Sequence, residues 1–132
     1  MGRTETIRWY SECVRLAPEM TDDPNFPALM DLAKRCMMSD GPSHELKTWP
    51  TPFQAVWDGH KMHELRKNDR PGGFTLNDLL ILREFHEHPG TYTGRTIFAV
   101  PTYITPGGSF GLPQDMVVMS IRVIGKHMNW TP

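Results

Sequence analysis

Apolar and polar residues follow two different rules along this chain. Over the first 43 residues the apolar positions recur at helical spacing. Ile7, Tyr10, Val14 and Ala17 form one stripe, which predicts a helix over about residues 4–17, with Pro18 at its end. Thr21-Asp-Asp-Pro-Asn25 is turn and cap material, and Phe26, Leu29, Met30, Ala33 and Met37 form a second stripe with Lys34 and Arg35 near its C-terminus. Ser39-Asp-Gly-Pro-Ser43 reads as a linker. From His44 the pattern changes to short runs that suit strands. Those runs are His44–Thr48, Met62–Lys67, the strongly apolar Leu79–Phe85, Thr93–Tyr103 and Met116–Ile124. Between the first two, Thr51-Pro52 reads as a cap with proline at the first helical position. Phe53, Val56 and Trp57 then share a helical face before Asp58-Gly59 closes the helix.

Arg70-Pro-Gly-Gly73 is a turn, Pro89-Gly90 is a break, and Thr105 to Pro113 is a Pro/Gly loop. Pro101 marks its strand as an edge or a bulge. In the last strand Val117, Met119, Ile121 and Val123 share one face. Met116, Val118 and Ile124 share the other with Ser120 and Arg122, so that side is only partly buried. The connections are too short for crossover helices beyond the first. The fold class is therefore α+β: a mostly antiparallel curled sheet or small barrel of about five strands, with a helix between strands one and two and N-terminal helices before it. The domain limits are 1–43 for the helical extension, 44–125 for the barrel and 126–132 for a C-terminal tail.

Composition narrows the function. The chain has 132 residues, 39% of them hydrophobic, enough for one domain with a core of its own. Its 14 basic and 15 acidic residues give a net charge of −1, which excludes disorder by charge and binding to a polyanion by bulk charge. No apolar run is long enough to span a membrane, and the first residues lack the apolar core of a signal peptide. Gly2 and Thr6 formally meet the short myristoylation pattern, which arises easily by chance. Cys13 and Cys36 form no framework and read as reduced thiols of a cytoplasmic protein.

The densest polar cluster is Gly59-His-Lys-Met-His-Glu-Leu-Arg-Lys-Asn-Asp-Arg70. On a strand, Glu64 and Arg66 share a face, so their ion pair can position a guanidinium suited to phosphate or base edges. Lys47 on the first strand adds a second cation. The plain reading of the same strand is a solvated face with routine surface pairs. The i, i+3 offset of Lys61 and Glu64 puts them on opposite faces of a flat strand, so their meeting requires a bulge or sharp twist near Met62. His60-x-x-His63 and His86-x-His88 lack partners at zinc spacing, and all six histidines read as solvated or structural, with no metal. No phosphate loop or serine-nucleophile signature is present, and no cofactor is called for. Trp49, Trp57, Tyr92, Tyr103 and Phe110 lie at strand ends, on the short helix or in the loop. There a flat ring beside a cation can hold an unstacked base, the alternative being core packing.

The order of elements carries a resemblance. His44-Glu-Leu-Lys-Thr is followed by Phe53-x-x-Val56-x-x-Gly59-x-Lys61-x-x-Glu64-x-Arg66, then by Leu76-x-Asp78-x-Leu80-x-Leu82. Tyr92-Thr-Gly-Arg95 and Val117-Val-Met-Ser-Ile121 complete the series. Together these resemble the ASCH (activating signal cointegrator homology) domain of the PUA-like superfamily, and within it a bacterial and phage family of unknown function. The resemblance covers about residues 44–125. It implies a curled barrel with a cleft lined by the G-x-K-x-x-E-x-R strand, and RNA or a modified nucleoside as partner. Taken with the basic residues and rings above, the binding candidates are Lys47, Lys61, Glu64, Arg66, Lys67, Arg70, Tyr92 and Tyr103. Some similar domains hydrolyse the amide of N4-acetylcytidine with a Lys, a Thr three residues later and a further Glu. Lys61 matches the Lys and Glu64 stands in the Thr position, so Lys61 and Glu64 are the catalytic candidates of an enzyme reading, amidohydrolase or ribonuclease. The stripe from Phe26 to Met37 either packs on the barrel or docks a protein partner.

Overall fold

The computed structural model describes residues 42–76 and 78–130. The expected N-terminal helices, Gly2, Cys13 and Cys36 lie outside the described residues. The chain runs β1 (Ser43–Thr48), α1 (Pro50–Trp57), β2 (His63–Lys67), β3 (Leu79–His86), β4 (Thr91–Thr105) and β5 (Met116–His127). All five expected strands are present at nearly the expected limits. The strands form one five-stranded sheet in the order β1-β3-β4-β5-β2. Three of its pairings are antiparallel, and β1 pairs with β3 in parallel.

β1 and β2 therefore occupy opposite ends of the hydrogen-bonded order, with no ladder between them. The sheet curls until they face each other across a seam, where Arg66 of β2 donates from Nη1 to the Lys47 carbonyl of β1 at 2.9 Å. The result is a mostly β, curled half-barrel with one helix across it. Its concave side is filled by Leu46, Leu80, Leu82, Ile97, Ala99, Val117, Met119 and Ile121, with Phe53 and Val56 of α1 packed onto them. β3 buries residues on both sides. Leu80 and Leu82 face the concave core, whereas Leu79 and Ile81 point the other way and are also fully buried. A continuous Leu-Leu-Ile-Leu run is what a strand covered on both faces requires.

Two details differ from the sequence reading, and one alternative it left open is decided. Trp49, not Thr51, occupies the N-cap of α1, with no side-chain cap and its carbonyl accepting from Phe53 N. Pro101 marks a bulge within an internal strand, since β4 lies between β3 and β5. A bulge needs only a local break in the ladder, which proline supplies by lacking an N–H. Residues 126 and 127 belong to β5, and Trp130 beyond them is buried, its ring 6.0 Å from that of Phe98. The packing of Trp130 was not visible in a strand pattern that fades after Ile124.

The β4–β5 connection is tightly built. A Cβ on Gly107 would lie 2.3 Å from the Gln114 carbonyl oxygen and 2.7 Å from that of Met116, so only glycine lets the two arms of the loop approach. Gly107→Ala is expected to lower stability by about 1–3 kcal/mol in urea unfolding, as overpacking does when the neighbour is backbone. An unchanged midpoint would mean that the arms separate freely.

Candidate functional site

The site begins where α1 ends. Gly59 takes a positive φ of 81°, and the next two amides, His60 N and Lys61 N, both donate to the Ala55 carbonyl at 2.9 and 3.0 Å. This turn fixes Lys61 before β2 starts at His63, so Lys61 is not a residue of the strand. No bulge at Met62 is needed for it to reach Glu64. Its Nζ donates to the His63 carbonyl at 2.6 Å and lies 3.5 Å from Glu64 Oε1.

Glu64 points to the concave side beside Met119, its register partner, and is only 2% exposed. A carboxylate at that depth is costly unless it is paired. Arg66, two residues on and on the same face, donates from Nε to Glu64 Oε2 at 2.9 Å, which is the pairing the sequence suggested. The rest of the guanidinium reaches β1. Nη1 donates to the Lys47 carbonyl, and Nη2 donates to the Thr48 hydroxyl at 2.9 Å, which in turn donates to the Leu46 carbonyl. The planar fork thus joins a buried carboxylate to the edge of another strand, a task that fits arginine and not lysine.

These groups enclose a hollow of about 260 Å³ lined by Lys47, Thr48, Trp49, Pro52, Lys61, Glu64, Leu65 and Arg66. Of the eight residues assigned to binding, Lys47, Lys61, Glu64 and Arg66 are brought together here. The Lys47 ammonium lies 4.2 Å from the centre of the Phe85 ring. The other four stand outside the hollow. Lys67 is exposed on the opposite face of β2 from Arg66. Arg70 donates to the Glu45 carbonyl at 3.0 Å, a second guanidinium capping the β1 edge. Tyr92 packs on Phe85 and under Arg83. Tyr103 is exposed on the outer side of β4, beside Ser120 of β5.

A second polar cluster adjoins the first and escaped the sequence reading. Glu84, the register partner of Thr48, is 5% exposed. It accepts from Arg95 Nε and Nη2 at 3.0 and 2.9 Å and from the Thr93 hydroxyl at 2.7 Å. The β3–β4 register shifts here, which lets Thr93 and Arg95 both close on one carboxylate. Arg95 also donates to Gln54 of α1 at 2.7 Å, and its guanidinium carbon lies 5.0 Å from the ring centres of Phe53 and Trp57, tying the helix to the sheet. Burial works to raise the Glu84 pKa. The hydrogen bonds from Arg95 and Thr93 and the charges of Arg95 and His86 outweigh it, so the carboxyl sits below its ordinary value. The signal in the sequence was Tyr92-Thr-Gly-Arg95, whose acidic partner lies on a neighbouring strand. Elsewhere, His44 and Asp78 form a buried pair at 2.6 Å, with Asp78 accepting from Thr75 N and Oγ1.

Among the described residues no three His, Cys, Asp or Glu side chains gather as a metal site, and no helix is long and apolar enough to cross a membrane. A half-barrel with a polar hollow at its seam defines a small β domain. The chain belongs to the family described as a domain of unknown function (DUF3850), whose model matches residues 43–121. No curated protein matches the chain.

Arg66→Ala is expected to cost about 3 kcal/mol in urea unfolding, because it strands the buried Glu64 carboxylate. Arg66→Lys is expected to recover less than half of that, since an ammonium cannot span both strands. Full recovery by lysine would show that charge alone holds the seam. The depressed Glu84 pKa stabilises the fold above the ordinary carboxylate value, and that contribution is lost as pH falls through the lowered folded value. Thermal midpoints of Glu84→Gln should therefore lie below wild type at pH 7, and the gap should close as pH drops below about 4. A gap independent of pH would rule out this linkage.

Proposed function

We propose that the seam hollow binds a nucleotide, as one unpaired base of RNA or a modified nucleoside, in the manner of the ASCH and PUA-like domains the sequence resembles. The observation that carries this reading is the convergence of Lys61, Glu64 and Arg66 on a single hollow whose rim includes the half-exposed Trp49 ring. The parts match a base. Trp49 offers a stacking face, Glu64 offers an acceptor for an exocyclic amino group, and Lys61 offers a donor beside it. At about 260 Å³ the hollow falls below the roughly 300–1,000 Å³ of sites for drug-sized ligands, which suits one base and not a duplex. Residues 44–125 carry eight basic and eight acidic groups, so attraction to phosphate is local, through Lys47 and through Lys67 and Arg70 at the end of β2.

A second reading is a hydrolase acting on a modified nucleoside such as N4-acetylcytidine, or a ribonuclease. It is favoured by one observation: Lys61 Nζ and Glu64 Oε1 are 3.5 Å apart and line the same hollow. Both contacts of Lys61 use it as a donor, which fits holding a ligand acceptor better than attacking it.

Titration with nucleoside 5′-monophosphates and short single-stranded RNA tests the proposal. Lys61→Ala is expected to weaken binding roughly 10- to 100-fold, the worth of a charge-assisted hydrogen bond. Trp49→Ala should weaken it roughly 5- to 100-fold, the worth of a stacked base. The salt dependence should be shallow, about −0.7 in log–log slope for each of two or three phosphate contacts. Absence of binding to every nucleotide would end the binding reading. Product formed from N4-acetylcytidine or RNA, and lost in Lys61→Ala, would move the assignment to the hydrolase.

A further inference from the structure

The outer side of the sheet next to the hollow carries a feature that the seam does not use. Phe110, at the tip of the β4–β5 loop, is fully exposed and has a φ of 51°. A bulky residue in that region is a strained outlier that persists only when its surroundings impose it. Here they do. Gly107 packs against the Gln114 and Met116 carbonyls, Gly108 N donates to the Leu112 carbonyl at 2.8 Å, and Leu112 N donates to the Ser109 carbonyl at 2.8 Å. The loop is thus built to hold an apolar ring out in water. Beneath it lies a hollow of about 360 Å³ whose walls include Thr105, Phe110, Leu112 and Val118.

This hollow continues the first. Val118 is the cross-strand partner of Leu65, and Leu65 lines the seam hollow. Thr105 pairs with Val118 on the other side, and Tyr103, 66% exposed, stands two residues before Thr105 on the same face. The strand residues that share this face with Leu65 and Val118 include Lys67 and Arg122, both exposed and in no ion pair among the described residues. Among the residues of β2, β4 and β5 on this face there is no carboxylate, and Glu45 of β1, on the same side of the sheet, is paired with Arg83 at 3.1 Å. Asp69 and Asp115 lie only at the end of this face, beyond Lys67.

We infer that this outer face is a second binding surface for single-stranded nucleic acid: a strand with one base in the seam hollow passes over Leu65 and stacks a following base on Phe110, with Lys67 and Arg122 against its phosphates. The inference rests on the nucleotide reading of the seam and makes the ligand an oligonucleotide in place of a free nucleoside. Exposed rings beside cations on strands that present no unpaired carboxylate are the chemistry that holds unpaired strands without reading sequence.

The test uses the full 132-residue chain with labelled random-sequence RNA of three and six nucleotides and a mixture of the four nucleoside 5′-monophosphates. The hexamer should bind more tightly than the monophosphates. Phe110→Ala should weaken the hexamer roughly 5- to 100-fold, leave monophosphate binding unchanged and leave the thermal midpoint within error of wild type. Phe110→Trp should restore hexamer binding. A hexamer that binds no better than the monophosphates, or equally well to Phe110→Ala, overturns this inference and leaves the seam reading standing. If neither ligand binds, both readings are overturned. If Phe110→Ala converts a dimer to a monomer in sedimentation while hexamer binding is unchanged, the ring is a protein contact and the inference is overturned.

Discussion

The guanidinium of Arg66 is the interaction on which the rest of the domain depends. Its three nitrogens each meet a different partner: the Glu64 carboxylate, the Lys47 carbonyl and the Thr48 hydroxyl. Two of these partners belong to β1 and one to β2, the two ends of the sheet. The pairing of buried Glu64 and the closure of the hollow at the seam rest on one planar group satisfied on two sides. Arginine is suited to this because its fork is rigid and always charged, so little freedom is lost for each bond formed.

The concave side of the sheet is accordingly graded. Its middle is a dry core of Leu46, Leu82, Ile97, Val117 and Met119. At one end the core gives way to Thr48, Glu64, Glu84, Arg66 and Arg95, where each buried carboxylate is held by one arginine. Such pairs offset their desolvation only when geometry and hydrogen bonding are good, and they are poor general sources of stability. Their use here is positional. The Glu84–Arg95 pair fixes α1 over the sheet, and the Glu64–Arg66 pair fixes the wall of the hollow. The one helix therefore serves both clusters, giving Phe53 and Val56 to the core and its C-terminal turn to the placement of Lys61.

Much of this was legible in the sequence, because the strands are short and their alternation is clear. All five strands and the helix fall where periodicity places them, and the Glu64–Arg66 pair follows from an offset of two on a strand. Lys61 stood out in the dense polar run from Gly59 to Arg70, and Lys47 as a second cation on the first strand. What stayed hidden was set by long-range pairing. Nothing in β2 alone says that it lies at the far end of the sheet from β1, so the contact of Arg66 with Lys47 and Thr48 was invisible. The partner of Arg95 was hidden for the same reason, since Glu84 meets it only through a shifted register. Lys67 was grouped with the hollow because it follows Arg66 in the same basic run, and Tyr103 because it is a ring near a strand end. The alternation of a strand turns them to the outer side.

The seam also bears on how such a sheet avoids sticking to other chains. Unpaired carbonyls along an outermost strand are a template for a foreign strand, and proteins commonly blunt them with charge. On β1 those of Glu45 and Lys47 are taken by Arg70 and Arg66. The described sheet is a curled half-barrel that stays an open ribbon in its backbone bonding, and its own guanidinium groups occupy its β1 margin where a foreign strand would otherwise pair.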